Sequence, residues 1–322
     1  MTRQLLLLRH GKSDWDADVS DFHRPLKARG KRGAQRMGAW LARIDQRPDF
    51  IISSPAERAF VTAEKCAKAM GLAADAIVPH KGIYEAGLDD LLKVLAAIPA
   101  DAQRVMLVGH NPGLEQLLEY LSKEQPIIPG DGKLMPTATL ARLEMPDDWQ
   151  SIQPRHARLL GITRPRELPE QFPFEAEAGE QWRDRPSYYY TQSGVIPYRL
   201  EKGELRILLV RSSKRKHWVV PKGVADPGHS LEDSALKEAR EEAGVLGHVD
   251  GPLLGRYQYE KWGAACEVTM FPMKVTEVLP EDKWEESHRG RTWVTVSEAK
   301  TLVKQRALVP MIESLQGRVC PE

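Results

Sequence analysis

A parallel α/β half followed by an α+β half is the fold class the sequence predicts, on three observations. The chain has 322 residues, more than one hydrophobic core usually organises, since cores stop growing near roughly 250 to 300 residues. Its first half alternates short apolar runs with helix-period segments, and strands covered on both faces of a parallel sheet read as continuously apolar. Its second half changes to closely spaced strand-like stretches before one clear helix.

Taken in order, Leu5 to Leu8, Phe50 to Ile52 and Val105 to Val108 are strands, with helical periodicity at Gly33 to Ile44 and Pro55 to Met70. Residues 164–187 then break the pattern with Pro165, Pro169, Pro173 and Pro186 among many charges. The sequence places a linker at 170–187, between domains at 1–169 and 188–322. Beyond it "SGVIPYRL", "LRILLVRS" and "HWVVPKG" read as strands, and Ser230 to Ala243 as a helix. Ser230 and Asp233 form a capping box and Gly244 stops that helix.

Composition narrows the function classes. A formal net charge of +1 gives no global field for nucleic acid or an anionic membrane, so any anion site must be local. The basic cluster near Arg211 is short and lacks a recognition module, which leaves nucleic acid the weakest partner. The apolar run Leu5 to Leu8 is far short of a spanning helix or a signal-peptide core, so a soluble, cytoplasmic protein without a membrane partner is expected. Cys66, Cys266 and Cys320 show no metal or disulfide spacing and are expected to be small buried thiols. Asp14, Asp16, Asp18 and Asp21 lack the glycine and terminal Glu of a calcium loop.

Three strands of the first half end on residues suited to phosphate. "LLLLRHGKS" ends on Arg9 and His10, "FIISSPAER" leads to Arg58, and "VMLVGHNPG" ends on His110. Ligands of open parallel sheets bind at the carboxyl ends of strands, where these segments can converge. Ser54 as N-cap, Pro55 at the first position and Glu57 completing a box would leave Arg58 in the first helical turn, among exposed N–H groups that attract anions. Arginines bind phosphate bidentately, and a neutral imidazole can attack phosphorus.

These residues, with "RPLKARG" and the tail "LLGITRPRELP", resemble the histidine phosphatase superfamily and within it the SixA-type phosphohistidine phosphatases, from Arg3 to about Pro169. The resemblance implies a three-layer parallel-sheet domain that needs no cofactor. By it His10 is the nucleophile that becomes phosphorylated, Arg9 and Arg58 clamp the phosphoryl group, and His110 stabilises it. Glu85 in "IYEAG" is the candidate proton donor. Lys12 stands where many relatives carry Glu, which counts against a mutase.

In the second half, Glu238, Glu241 and Glu242 fall at i, i+3 and i+4 on one helix face, where like charges repel. A divalent cation removes that repulsion, and hard carboxylate oxygens suit Mg²⁺ or Mn²⁺. A solvated acidic face with Lys237 and Arg240 as counter-charges is the plainer alternative for the carboxylates alone. "PKGVADPGHSLEDSALKEAREEAGV" resembles the Nudix box, matching at Gly223, Glu238, Glu241, Glu242, Gly244 and Val245. His229 and Lys237 depart from it, at two positions that in the family brace the loop and helix. The resemblance runs from about Tyr188 to Leu315, is nearest to the branch acting on diphosphoinositol polyphosphates and diadenosine polyphosphates, and implies an α/β/α sandwich. It makes Glu238, Glu241 and Glu242 metal ligands, with Glu241 also catalytic. Lys214, Lys216, Lys222, Gly223 and Arg291 are the expected substrate contacts, Lys222 beside the metal and Arg291 closing the far side.

The sequence thus points to a bifunctional phosphohydrolase of small phosphorylated molecules. One alternative is a sanitising hydrolase of oxidised nucleoside triphosphates with sequential dephosphorylation. The other is a phosphatase of a phosphohistidine protein, regulated by a ligand-sensing Nudix module.

Overall fold

The computed structural model describes residues 2–177 and 179–320 and divides into two compact units, Met1–Pro186 and Ser187–Glu322. The first unit contains β1 (Arg3–Arg9), α1 (Ala28–Arg43), β2 (Phe50–Ser53), α2 (Glu57–Ala69), β3 (Ile77–Pro79), α3 (Leu88–Ala96), β4 (Arg104–Gly109), α4 (Gly113–Leu121), β5 (Leu140–Met145) and β6 (Arg158–Thr163). Their sheet has the order β3-β2-β4-β1-β5-β6. The leucine run of β1 shows why the unit has three layers. Leu5 and Leu7 pack with Leu91, Leu95, Leu114 and Leu117 of α3 and α4, while Leu6 and Leu8 pack with Met37, Leu41, Ala59 and Ala63 of α1 and α2. Successive strand residues point to opposite faces, so an unbroken apolar run supplies two cores at once.

The parallel expectation holds for β1 to β4 and not for the rest. β5 pairs antiparallel with β1, Leu140 opposite Leu8 and Met145 opposite Arg3, and β6 pairs antiparallel with β5. Residues 122–139 carry the chain back to the carboxyl end of β1, so β5 starts where β1 finishes. A parallel pairing would need a crossover back to the other end.

Part of the stretch expected as a linker is folded. β7 (Phe172–Ala176) and β8 (Gly179–Arg183) form an antiparallel pair. Phe172 is 1% exposed, and Arg32 of α1 lies over its ring while donating to the carbonyls of Glu170 and Asp184. Arg43 reaches Glu180 at 3.2 Å. Charge and proline content hid a strand pair tied down by cations of a distant helix.

The second unit contains β9 (Thr191–Glu201), β10 (Glu204–Arg211), β11 (Trp218–Val219), β12 (Lys222–Val224), α5 (Leu231–Ala243), β13 (Val245–Val249), β14 (Gly255–Lys261), β15 (Ala264–Val278), β16 (Arg291–Thr295), α6 (Val296–Leu302) and α7 (Leu308–Val319). β9 is central, pairing antiparallel with β10 and β12 and parallel with β15. The same alternation separates two cores. Val195, Leu208 and Val210 face Ala235, Ala239 and Ala243 of α5, while Ile196, Ile207 and Leu209 face Ala299, Ile312 and Leu315 of α6 and α7. Among the described residues no helix is long and apolar enough to cross a membrane.

Candidate active sites

In the first unit the carboxyl ends of β2, β4 and β1 lie side by side, with Ser53 opposite Val108 and Arg9 opposite Gly109. The backbone continues the pairing one residue further, His10 N–H donating to Gly109 O and Ser54 N–H to Val108 O, both at 3.0 Å. His10 and His110 are thereby neighbours, their ring centroids 5.1 Å apart.

His10 is 8% exposed, and its Nδ1 lies 2.8 Å from the carbonyl of Gly11. A carbonyl only accepts, so Nδ1 carries the proton and Nε2 keeps its lone pair. Burial first, with His110, Arg58 and Arg9 adding to it, pulls the His10 pKa down to about 3. The imidazole is neutral at physiological pH, the form a nucleophile requires. Burial, followed by Arg58, likewise lowers His110 to about 4.

Arg9 donates to Met135 O at 2.7 Å, and Met135 N–H is held by Glu115 at 2.8 Å. Arg58 is 6% exposed and grips Asp21 through the carbonyl at 2.5 Å and a carboxylate oxygen at 2.8 Å. Arg24 takes the other carboxylate oxygen at 2.7 Å, and Tyr84 OH donates to the first at 3.0 Å. Thr62 links the pieces, its hydroxyl accepting from Gly11 N–H and donating to Arg58 O. Arg9 Nε, Arg58 Nε and His110 Nδ1 are buried without a hydrogen-bond partner. Such orphaned groups cost about 1–3 kcal/mol each, and an anion here would satisfy the two arginine donors.

Four of the five residues expected to be catalytic in this half, Arg9, His10, Arg58 and His110, are brought together. Glu85 is exposed on the turn after Tyr84 with φ 55°, and it forms no hydrogen bond or ion pair among the described residues. The expected capping box is absent. α2 begins at Glu57 after Ala56, and Ser54 Oγ contacts His110 Nε2 at 2.8 Å. Asp21 was weighed only as part of a calcium loop, and Arg24 and Tyr84 were not singled out, since none of the three sits in a periodic strand or long helix that would mark it.

In the second unit the site is built on α5 and β12. Ser230 caps α5, its hydroxyl accepting from Asp233 N–H, and Gly244 ends the helix at φ 61°. Ser230 Oγ also donates to the Asp233 carboxylate at 2.7 Å. Gly223 lies against the carboxylates, since a Cβ there would fall 2.0 Å from a Glu238 carboxylate oxygen and displace that side chain. Glu242 accepts from Lys222 N–H at 3.1 Å and pairs with buried Arg289 at 2.8 Å. Glu241 lies 3.9 Å from Lys237.

Burial first, then the charges of Glu242 and Glu241, push Glu238 up to about 8. Burial also raises Glu241 and Glu242, against Lys237 and Arg289 respectively. A hard divalent cation fits this donor set, because it would relieve both the desolvation and the mutual repulsion. The side chains as placed do not form a cage: among the described residues no three His, Cys, Asp or Glu side chains are grouped so that they could hold a metal ion. Glu242 turns to Arg289 and Glu241 towards Lys237.

Three expected substrate contacts have other places. Arg291 donates to the carbonyls of Ala243, Gly244 and Leu279 and stacks on Trp284, which makes it the C-terminal cap of α5 rather than a phosphate ligand. Arg289, two residues earlier, is the cation at the carboxylates. Lys214 and Lys216 are exposed in the 212–217 turn, and nothing ties them to Glu238. Lys222 is at the site, its ammonium over Tyr259 at 5.2 Å and its pKa lowered by burial. The departures from the box are compensated. Lys237 Nζ bonds Asp226 Oδ2 at 2.5 Å, and Asp226 N–H donates to Ser234 Oγ at 3.1 Å, so the loop is braced to α5 through position 226.

The sequence profile of the NUDIX domain matches residues 191–314, and that of the histidine phosphatase superfamily, branch 1, matches residues 5–93. Among curated relatives, Nudix hydrolase 21 (chloroplastic) of Arabidopsis thaliana is 35% identical over 136 residues, covering 39% of this chain and 66% of its own length. Nudix hydrolase 17 (mitochondrial) of the same plant is 35% identical over 138 residues, covering 38% and 74%. A SixA phosphohistidine phosphatase candidate from Agrobacterium tumefaciens is 31% identical, with a TM-score of 0.41, covering 51% of this chain and 99% of that one. The chain therefore belongs to the Nudix hydrolases through its second half and carries a histidine phosphatase superfamily domain in its first.

Proposed function

We propose that this phosphohydrolase is bifunctional: its second half cleaves phosphoanhydrides of diadenosine polyphosphates or inositol pyrophosphates, and its first half removes a phosphoryl group through His10. The observation that carries the reading is the pinned, neutral His10 imidazole, whose free Nε2 sits among orphaned arginine donors. Arg9 and Arg58 orient the phosphoryl group, and His110 donates to its oxygens. Asp21 holds Arg58 and Arg24 in place, and Glu85, on the rim beside Tyr84, supplies the proton to the leaving group.

In the second half Glu238, Glu241 and Glu242 would hold Mg²⁺ or Mn²⁺. When bound, such an ion lowers the pKa of water and neutralises charge developing on the phosphate chain. Glu241 is the candidate general base for the attacking water, and Lys222 would meet the substrate beside Gly223. The Lys237–Asp226 brace favours a working hydrolase over a ligand sensor, since it restores the loop support that the substitutions at 229 and 237 would remove.

The test is product analysis of the full chain against diadenosine polyphosphates, inositol pyrophosphates and nucleoside triphosphates, with and without Mg²⁺. Mg²⁺-dependent cleavage of the first two classes, with metal-independent release of phosphate from monophosphates, is expected. A preference set by oxidation of guanine would replace this reading with nucleotide sanitation.

A further inference from the structure

Beside His10 the first unit has an open cavity of about 400 Å³. Five cations line it, Lys12, Arg29, Lys133, Arg164 and Arg166, against one carboxylate, Asp131. That carboxylate is already engaged, by Arg164 at 2.6 Å and Arg166 at 3.4 Å. Arg164 is 3% exposed and donates its other end to Lys133 O, so a buried guanidinium stiffens this wall. Lys12, Arg29 and Lys133 enter no ion pair among the described residues. On a chain of net charge +1, so one-sided a lining has only local effect, and a concave wall of one sign concentrates its field.

The cavity shares a partition with the phosphatase site. Residues 136–138 line it, and the same segment bonds the catalytic strand: Ala138 N–H donates to His10 O, and Arg9 N–H to Thr139 O, each at 3.0 Å. Met135, next along, accepts from Arg9. On the other side Lys12 is fixed by Lys27 N–H at 2.9 Å and by the close approach of Gly30, where a Cβ would fall 2.3 Å from Lys12 O. The cavity wall and the nucleophile loop are thus one hydrogen-bonded piece.

We propose that this cavity is a second anion site, which holds a further phosphate of a small, multiply phosphorylated substrate while another phosphate of the same molecule meets His10. The inference rests on His10 as nucleophile and adds the substrate class. The phosphoryl group at His10 already has Arg9 and Arg58, so the three unpaired cations next door are surplus to a monophosphate. About 400 Å³ lies at the small-molecule end of pocket sizes, which favours a compact polyphosphorylated ligand over an acidic protein surface.

The test uses the full chain in metal-free buffer at low salt, which silences the Nudix half, and a Lys133→Gln, Arg166→Gln double variant that leaves buried Arg164 intact. Inorganic tripolyphosphate is the probe, read by calorimetry and as an inhibitor of p-nitrophenyl phosphate hydrolysis. The variant is expected to bind tripolyphosphate about tenfold more weakly at one site and to show a matching rise in its inhibition constant, with kcat and KM for p-nitrophenyl phosphate within about twofold of the parent. Unchanged tripolyphosphate affinity in the variant overturns the proposal. So does a defect confined to an acidic phosphohistidine peptide, which would make the cavity a protein-docking site. If the parent hydrolyses no monophosphate yet loses its tripolyphosphate site on substitution, the anion site stands and the His10 reading fails.

Discussion

At His10, burial and neighbouring arginines hold two imidazoles neutral, whereas at Glu238 burial and neighbouring carboxylates keep a carboxyl protonated up to about pH 8. The first site gathers its residues from three strand ends and two loops, each pre-tied to the backbone or to Asp21. The second draws its carboxylates from one face of α5, where the i, i+3, i+4 spacing sets them along that face although Glu242 turns to Arg289 and Glu241 towards Lys237. Desolvation is the leading cause in both, yet the donors it leaves suit an anion at the first site and a cation at the second. Charge sign, rather than depth, separates the chemistries.

The comparison breaks most visibly if the activities fail to separate. His10→Ala should lower monophosphatase activity by at least about a thousandfold and abolish an acid-labile phosphoenzyme, while Mg²⁺-dependent anhydride hydrolysis stays within about twofold. Residual monophosphatase activity at the parent level would remove His10 from the mechanism. Next in size, Glu241→Gln and Glu242→Gln should each reduce anhydride turnover by about two orders of magnitude and leave the phosphatase untouched. Glu242→Gln also takes from buried Arg289 one of its two carboxylate partners, leaving Glu286, so its melting temperature should drop more than that of Glu241→Gln.

A smaller effect sharpens the account of the brace. Asp226→Asn should cut anhydride hydrolysis about tenfold, whereas His229→Glu should leave it similar or raise it. A large loss at His229 would give that residue a role of its own and revive the sensor reading.

Titration is the subtlest probe. The folded chain binds a proton at Glu238 between its usual value near 4.5 and about 8, so that group stabilises the fold below 4.5 and its contribution is lost as pH rises through 8. His10 runs the other way, its contribution complete above 6.5 and lost as pH falls towards 3. Thermal stabilisation by Mg²⁺ should therefore grow from pH 6 to pH 8.5, and Glu238→Gln should flatten that rise in a melting series. Neutralising Lys214 and Lys216, exposed on their turn, should narrow any preference for longer polyphosphates only modestly and only at low salt.

Much of both sites was legible because local sequence carries them: an apolar run ending in Arg9 and His10, or three carboxylates at helical spacing. What escaped depends on distant partners. Asp21 matters through Arg58 and Tyr84, 37 and 63 residues away, and its own loop gives no hint of either. Arg289 and Arg291 are two residues apart, and which of them faces the carboxylates is decided by the short helical turn 287–289, which packs against α5 just ahead of β16. Ser54 looks like a helix cap until β4 delivers His110 to it. β5 runs antiparallel for the same kind of reason, since the path of residues 122–139 fixes its direction.

The hairpin of β7 and β8 bears on how the halves can be studied apart. A fragment ending at residue 169 loses the pair, bares the ring site of Phe172 and leaves Arg32 and Arg43 without the groups they hold. Burying a phenylalanine of this kind is worth roughly 1.5–3 kcal/mol, a sizeable share of a domain's margin against unfolding. A fragment ending at Pro186 retains it. Limited proteolysis should then nick the chain near the Pro186–Ser187 junction in preference to residue 169, and the amino-terminal product should remain soluble and keep its phosphatase.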